Sequence, residues 1–169
     1  GILTNRPGVC STGVGPGAAA AVLGVANGFL ERAPFLVLTD RSSDEQFRRL
    51  QRQRLDQDLL YSPITKGTFK LAKDSAAVTM RRAIALAMDG RQGPVHVDIP
   101  YDVMQAEAEA SDFPPDGVGA RRFAGKIGNN HAGLEVAAAE IARADRPAIL
   151  VGLQVNRSGQ EAEEAFVAF

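Results

Sequence analysis

The sequence predicts an α/β fold: a doubly wound parallel sheet with helices on both faces, followed by the start of a second α/β domain. Two observations predict it. Short apolar runs alternate along the chain with longer segments whose apolar residues recur every three or four positions, as strands and amphipathic helices do. One of the runs, residues 35–39, is almost wholly apolar, which is typical of a strand buried on both faces of a parallel sheet. Strands that alternate with helices favour parallel pairing through helical crossovers.

The first strand and helix are predicted on either side of a glycine-rich turn. The short run at 8–11 leads into a turn at 12–17 that holds three glycines. Pro16 suits the first turn of a helix, where its missing N–H has no intrahelical partner. From there to Leu30 the apolar residues keep helical spacing with no charged residue. We therefore expect a helix that is buried on more than one side.

Five further segments complete the first predicted domain. The first four are a strand at 35–39, a polar segment at 40–57 that reads as a solvated loop or helix face, a turn and short strand at 63–71, and a helix ending at Met88. Asp74 or Ser75 is predicted to cap that helix. Gly93 and Pro94 then introduce a last, mostly apolar strand at 95–99.

The domain boundaries follow from a change in composition. Residues 1–110 are predicted to form the first domain and 111–130 to form a linker, because around 106–128 the periodic pattern gives way to Ala, Glu, Gly and Pro. Residues 131–169 are predicted to begin the second domain, with a helix, a buried strand at 147–152 and a last helix capped by Ser158. Since so few elements cannot bury their own faces, we expect the chain to stop inside this domain. We also expect it to start inside the first domain, because Gly1 leads almost directly into the glycine-rich turn.

Charge and cysteine content exclude several classes of protein. The chain carries 19 Lys and Arg against 20 Asp and Glu, a net charge of −1, whereas a nucleic-acid or anionic-lipid surface usually needs a basic excess. We therefore expect no nucleic-acid and no membrane partner. The single cysteine, Cys10, cannot form an intramolecular disulfide and is predicted to be a small core residue. A reducing, cytoplasmic location is expected.

The glycine-rich turn matches a dinucleotide-binding pattern. Residues 13–18 satisfy G-x-G-x-x-A, and Asp40 follows the next strand, where such domains carry a ribose-binding acid. Two details disagree with the pattern. Pro16 removes a backbone donor that a pyrophosphate would use, and the run before Gly13 is short and weakly apolar for a first Rossmann strand. A dinucleotide-binding (NAD or FAD) oxidoreductase domain stays open as an alternative, as does a turn that merely needs small residues.

Several motifs stand in a fixed order along the chain. They are GVC at 8–10, GPGA at 15–18, GVANGFL at 24–30, APFLVLT at 33–39, LDQ at 55–57, PITK at 63–66, GPVHVDIPYDV at 93–103 and RPAILVG at 146–152. Together they resemble the acetolactate synthase-like group of thiamine-diphosphate-dependent enzymes, and the resemblance spans nearly the whole chain. By this resemblance residues 1–110 are the pyrimidine-binding domain, and the last motif opens the Rossmann-like central domain.

The resemblance implies which residues contact the cofactor. Gly15, Pro16 and Gly17 would lie against the aminopyrimidine ring of thiamine diphosphate, and Gln53 stands where many members carry a glutamine near the active site. Val14 and Ala20 replace the Ser and Asn usual in acetolactate synthases, so the 2-oxoacid and its acceptor stay open. Some members hold FAD in the central domain, which makes FAD a further candidate cofactor without support from a motif in this chain.

The resemblance also implies what lies outside the chain. The family's catalytic glutamate would precede Gly1, and the Mg²⁺-diphosphate motif would follow Phe169, so we assign no catalytic and no metal-binding residue here. The parent protein would be a 2-oxoacid decarboxylase or carboligase, a lyase or transferase. It would form a homodimer or homotetramer through the pyrimidine-binding domain, with its active site between subunits. This chain alone is expected to be inactive. A non-catalytic interaction module on the same fold is a second alternative.

The two histidines are interpreted as structural. His96 lies in an apolar strand, where a packed and hydrogen-bonded side chain is expected rather than a catalyst. His131 opens a predicted helix and is expected to be solvated.

Overall fold

The computed structural model describes residues 1–4, 6–49, 53–107, 130–152 and 160–168. The described residues up to 107 belong to one compact unit, and those from 130 onward belong to a second. The predicted linker at 111–130 lies outside the described residues except for Asn130. The domain boundaries therefore stay predictions.

The strands and helices follow the predicted order. They are β1 (Gly8–Thr12), α1 (Pro16–Leu30), β2 (Phe35–Arg41), α2 (Asp44–Arg49), α3 (Gln57–Tyr61), β3 (Thr68–Lys70), α4 (Ala76–Met88), β4 (Pro94–Pro100), α5 (Tyr101–Met104), α6 (His131–Arg143) and α7 (Gln160–Ala168). Three short 3₁₀ turns at Ile2–Thr4, Ser62–Ile64 and Lys73–Ser75 complete the list. The predicted polar segment after β2 contains the short helix α2 and the start of α3.

The four strands form one parallel sheet in the order β1-β2-β4-β3. Successive side chains of a strand point to opposite faces. In β2, Leu36 packs in a core with α4, whereas its neighbour Val37 packs in a second core with α1 and α3. Helices therefore cover both faces of the sheet, and the predicted doubly wound α/β fold is confirmed.

Two glycines explain how α1 is seated on the sheet. A Cβ on Gly28 would lie 2.3 Å from Cε1 of Phe35, the first residue of β2, so the helix approaches the strand more closely than any side chain at position 28 would permit. A Cβ on Gly24 would meet no atom within 4 Å, because this residue is exposed. The end of α1 is thus held by a close helix–strand contact, whereas the Gly24 side of the helix is open.

The N-terminus of α4 is not capped by a side chain as the sequence predicts. Ser75 is the N-cap residue, but its side chain makes no capping hydrogen bond. The helix continues directly from the 3₁₀ turn Lys73–Ser75, in which the Ser75 N–H already donates to the carbonyl of Ala72. At the other end, Nζ of Lys66 donates to the carbonyl oxygens of Leu86 (2.5 Å) and Asp89 (2.6 Å). The lysine of the PITK motif therefore caps the C-terminus of α4.

The second unit contains the helix predicted near its start but not the predicted strand. In α6, the side chain of Asn130 caps the helix by accepting from the N–H of Gly133 at 3.1 Å, and His131 is exposed as expected. Residues 147–152 form no strand, and Leu150 is fully exposed. The prediction is wrong because a strand needs a neighbour to pair with, and the described residues of this unit contain no other strand. Ser158 lies outside the described residues.

Candidate functional site

The glycine-rich turn lies directly after β1 and at the start of α1. Gly15 has φ 62° and ψ −107°, a conformation that only glycine adopts without strain. A Cβ there would lie 2.9 Å from the carbonyl oxygen and 3.0 Å from the Cβ of Gln53. Gln53 itself has a positive φ of 56°. The structure therefore brings together Gly15 and Gln53, two of the predicted cofactor-binding residues that are far apart in the sequence.

The other two predicted cofactor-binding residues present an open surface. Pro16 is exposed, and Gly17 is half-buried with no heavy atom within 4 Å of the place where a Cβ would stand. Backbone without a side chain can be approached closely by a flat ring. The turn thus fits the aminopyrimidine ring of the cofactor that the sequence resemblance implies.

Asp40, the acid of the alternative dinucleotide pattern, is half-buried near the end of β2. Its carbonyl oxygen accepts a hydrogen bond of 3.1 Å from Nε2 of Gln57, which is buried at the start of α3. This bond ties the segment after Gln53 to the carboxyl end of the sheet. In the described residues, Asp40 thereby has a structural role through its backbone.

Polar side chains fill the core between this end of the sheet and helices α1 and α3. We call Thr39, Arg41, Tyr61, His96 and Asp98 the buried polar cluster. Four of them come from β2 and β4 at alternate positions, where Thr39 lies opposite Asp98 in the register. Except for Arg41, whose side chain is 17% exposed, all are fully buried. A buried polar side chain is costly unless it is hydrogen-bonded, so their partners decide what the cluster does.

The hydrogen bonds place a proton on one nitrogen of His96. The Thr39 hydroxyl donates its single proton to the Asp98 carboxylate and lies 2.7 Å from Nε2 of His96. Since this hydroxyl can then only accept from the ring, Nε2 carries the proton. Nε2 also lies 3.2 Å from Oδ1 of Asp98. Among the described residues the other nitrogen, Nδ1, finds no hydrogen-bond partner, and it lies 3.9 Å from a carboxylate oxygen of Asp58.

Asp98 is the anionic centre of the cluster. Its Oδ2 accepts a hydrogen bond of 3.0 Å from Nη1 of Arg41. Burial alone would raise the pKa of the Asp98 carboxyl, but the hydrogen bonds from His96, Thr39 and Arg41 outweigh it and hold the pKa below its ordinary value. Asp98 is therefore ionised at neutral pH despite its complete burial.

Tyr61 joins the cluster to α1. Its ring stacks on the imidazole of His96, with the centroids 4.5 Å apart and the planes at 24°. Its hydroxyl donates to the carbonyl oxygen of Ala18, in the first turn of α1, at 2.6 Å. Burial, with smaller contributions from Cys10 and Asp98, raises the pKa of Tyr61, so the hydroxyl keeps its proton.

The sequence analysis anticipated part of this arrangement. The interpretation of His96 as a packed, hydrogen-bonded residue is confirmed, but its partner Asp98 was missed. The spacing of the two residues was the available signal, because side chains two residues apart in a strand point to the same face. Tyr61 carries no local signal and was also missed. The prediction of Cys10 as a core residue is wrong: its side chain is exposed, because β1 lies at the edge of the described sheet.

No group of three or more His, Cys, Asp or Glu side chains in the described ranges is arranged to hold a metal ion. No helix of the described part of the chain is long and apolar enough to cross a bilayer.

The structure defines a doubly wound α/β domain with a glycine-rich turn after its first strand, and comparison with known proteins specifies its kind. Residues 1–60, which include the turn and Gln53, match the family described as thiamine pyrophosphate enzyme, N-terminal TPP binding domain. A probable acetolactate synthase large subunit from Methanocaldococcus jannaschii is 34% identical over 162 residues, 95% of this chain and 27% of that protein. The chain belongs to the thiamine-diphosphate-dependent enzyme family, in its acetolactate synthase-like group.

Other relatives carry different activities in their names. A 2-hydroxyacyl-CoA lyase from Saccharomyces cerevisiae is 33% identical over 63% of this chain and 19% of that protein. An oxalyl-CoA decarboxylase from Escherichia coli is 28% identical over 90% of this chain and 28% of that protein. The chain thus spans between about a fifth and little more than a quarter of the length of these relatives.

Proposed function

We propose that this chain is part of a thiamine-diphosphate-dependent 2-oxoacid decarboxylase or carboligase and supplies the pyrimidine side of an active site between two subunits. The observation that carries the proposal is the open Gly15–Gly17 turn packed against Gln53, inside the region that matches the cofactor-binding family. The names of the relatives, acetolactate synthases and a decarboxylase among them, support the reaction class.

In this proposal the turn holds the aminopyrimidine ring. Gly15 lets the chain reverse direction next to Gln53, and Gly17 leaves the backbone bare where the ring would pack. When bound, the cofactor supplies the electron sink for the carbanion left by decarboxylation. The residues of this chain position one face of the ring and exclude water from it. Mg²⁺ would hold the diphosphate, and by the family resemblance that site lies in another domain.

The catalytic glutamate is likewise proposed to lie outside the chain, so the chain alone is proposed to be inactive. The assay incubates the 169-residue chain with thiamine diphosphate, Mg²⁺ and a panel of 2-oxoacids and follows CO₂ release. We expect no turnover above a heat-denatured control. Turnover by the chain alone would contradict the division of the active site.

The role of the turn is tested with two glycines of the same helix. Gly17→Ala and Gly24→Ala both place a methyl group where no described atom lies within 4 Å. Both are therefore expected to fold normally. In the full-length protein, Gly17→Ala should raise the KM for thiamine diphosphate about tenfold or more, since the methyl group occupies the space of the ring, and Gly24→Ala should leave it unchanged. Equal KM values in the two variants would contradict the proposed contact.

We also propose that the parent protein is a homodimer or homotetramer that assembles through this domain. The outer side of α1 carries two exposed apolar residues, Leu23 and Leu30, which lie two turns apart on one face of the helix, and Gly24 is exposed beside Leu23. Exposed apolar groups of this kind mark interaction surfaces. Gly24→Leu should leave the folding of the domain intact and shift the sedimentation of the full-length protein toward smaller species. Arg82→Leu, at an exposed position of α4, is the control and should leave the sedimentation unchanged. An unchanged oligomeric state in Gly24→Leu would contradict this interface.

A further inference from the structure

The segment 53–61 contacts the first turn of α1 at both of its ends. At one end, the backbone of Gln53 packs on Gly15. At the other end, the Tyr61 hydroxyl donates to the carbonyl of Ala18, three residues further along. Between them, the buried Gln57 side chain ties the segment to the carbonyl of Asp40. The segment therefore holds the turn that the proposed function places against the cofactor.

The bond from Tyr61 is not needed to form the helix. In an α-helix the carbonyl of residue 18 already accepts from the N–H four residues later, so the tyrosine makes a second bond to the same oxygen. What this bond fixes is the place of the first turn of α1 relative to α3. The N–H of Ala19, also in the first turn of α1, donates to the carbonyl of Gly15 at 2.9 Å. The position of Gly15 therefore follows the position of the first turn of α1.

The tyrosine ring is itself held in a defined place. It stacks on His96, whose Nε2 bonds to Thr39 and lies beside Asp98. Asp98 is in turn bound by Arg41. The cluster thus connects the rigid centre of the sheet, β2 and β4, to the first turn of α1 through one hydroxyl group.

We propose that Tyr61 is a positioning residue of the cofactor site, which fixes the Gly15–Gly17 turn at the distance from the sheet that the aminopyrimidine ring requires. The inference rests on the proposed function, because it assumes that the turn holds the ring. It assigns to the other members of the buried polar cluster the role of supporting the tyrosine rather than of taking part in proton transfer. A displacement of the turn by a fraction of an ångström then weakens the binding of the cofactor, while the rate of the reaction with bound cofactor is unchanged.

The test compares the only two tyrosines of the chain. Tyr61→Phe removes the hydroxyl and leaves a ring that can stack on His96. Tyr101→Phe removes a hydroxyl of an exposed residue that accepts from the Gln105 side chain and not one that bonds to α1. In the full-length protein we expect Tyr61→Phe to raise the Kd for thiamine diphosphate about five- to tenfold, the effect of one lost hydrogen bond, with kcat at saturating cofactor nearly unchanged. Tyr101→Phe should behave like the wild type.

A second measurement does not depend on the cofactor. Hydrogen exchange of the Ala19 amide, without cofactor, should be faster in Tyr61→Phe than in Tyr101→Phe, because the first turn of α1 opens more often when it is not held. If the wild type binds thiamine diphosphate and Tyr61→Phe binds it equally well, the inference is overturned while the proposed function stands. Unchanged exchange at Ala19 also overturns it. A wild type that binds no thiamine diphosphate overturns the proposed function, and the inference falls with it.

Discussion

Gly15→Ala should destabilise the protein more than its backbone conformation alone explains. Gly15 has φ 62° and ψ −107°, and an alanine held there costs about 1–3 kcal/mol in backbone strain. The new methyl group would also lie 2.9 Å from the Gln53 carbonyl oxygen, which is too close for a carbon–oxygen contact. Overpacking of this kind costs about 1–3 kcal/mol, with the lower part of that range expected where the neighbour is exposed and can move.

We therefore expect Gly15→Ala to lower the free energy of unfolding by about 2–4 kcal/mol. Gly90→Ala is the matched control. Gly90 follows α4 with φ 48°, and a Cβ there would meet no atom within 4 Å. Gly90→Ala should therefore lower the free energy of unfolding by about 1–2 kcal/mol, the cost of an alanine in the left-handed region without a new contact.

Urea unfolding followed by circular dichroism measures both free energies. The difference between the two variants reports the contact between the turn and Gln53 together with any extra backbone strain at Gly15. If Gly90→Ala costs as much as Gly15→Ala, Gln53 does not pack against the turn, and the geometry on which the candidate site rests is wrong.

Two further predictions concern the packing of α1 and the buried carboxylate. Gly28→Ala should lower the free energy of unfolding by about 1–3 kcal/mol, because its Cβ would lie 2.3 Å from the Phe35 ring. The control Gly24→Ala should not lower it, and equal urea midpoints for the two variants would disprove the close contact. Asp98→Asn should cost about 3–5 kcal/mol at pH 7, since it leaves Arg41 without its buried partner. The folded-state pKa of Asp98 is below its ordinary value of 3.8, so its contribution is complete above pH 3.8 and is lost as the pH falls through the lowered pKa. The difference in unfolding free energy between the wild type and Asp98→Asn should therefore become smaller as the pH falls below 3.8. A difference that does not change with pH would contradict a lowered pKa of Asp98.

Local patterns predicted most of the first unit. The apolar spacing of residues 16–30 predicts α1, and the apolar run at 35–39 predicts β2, because burial imposes these periods whatever the rest of the chain does. The strand expected at 147–152 failed for the converse reason: an apolar run forms a strand only when another strand lies beside it.

The candidate site was predictable only in part. The glycines of the turn stand out in the sequence, and Gln53 was found through the family resemblance. Its contact with Gly15 joins two residues that are far apart in the sequence, which no local pattern specifies. The buried polar cluster depends on the register of β2 and β4, since Thr39 meets Asp98 only because their strands pair at that position. Tyr61 acts through a ring stack and one hydrogen bond to the main chain, and neither leaves a trace in the sequence around it.

In the proposed function, the Gly15–Gly17 turn serves thiamine diphosphate rather than a dinucleotide. Titration calorimetry of the full-length protein with thiamine diphosphate and Mg²⁺, and separately with NAD, distinguishes the two. We predict saturable binding of thiamine diphosphate, weakened by Gly17→Ala, and no saturable binding of NAD. Tight binding of NAD without binding of thiamine diphosphate would contradict the account and identify the turn as a dinucleotide site.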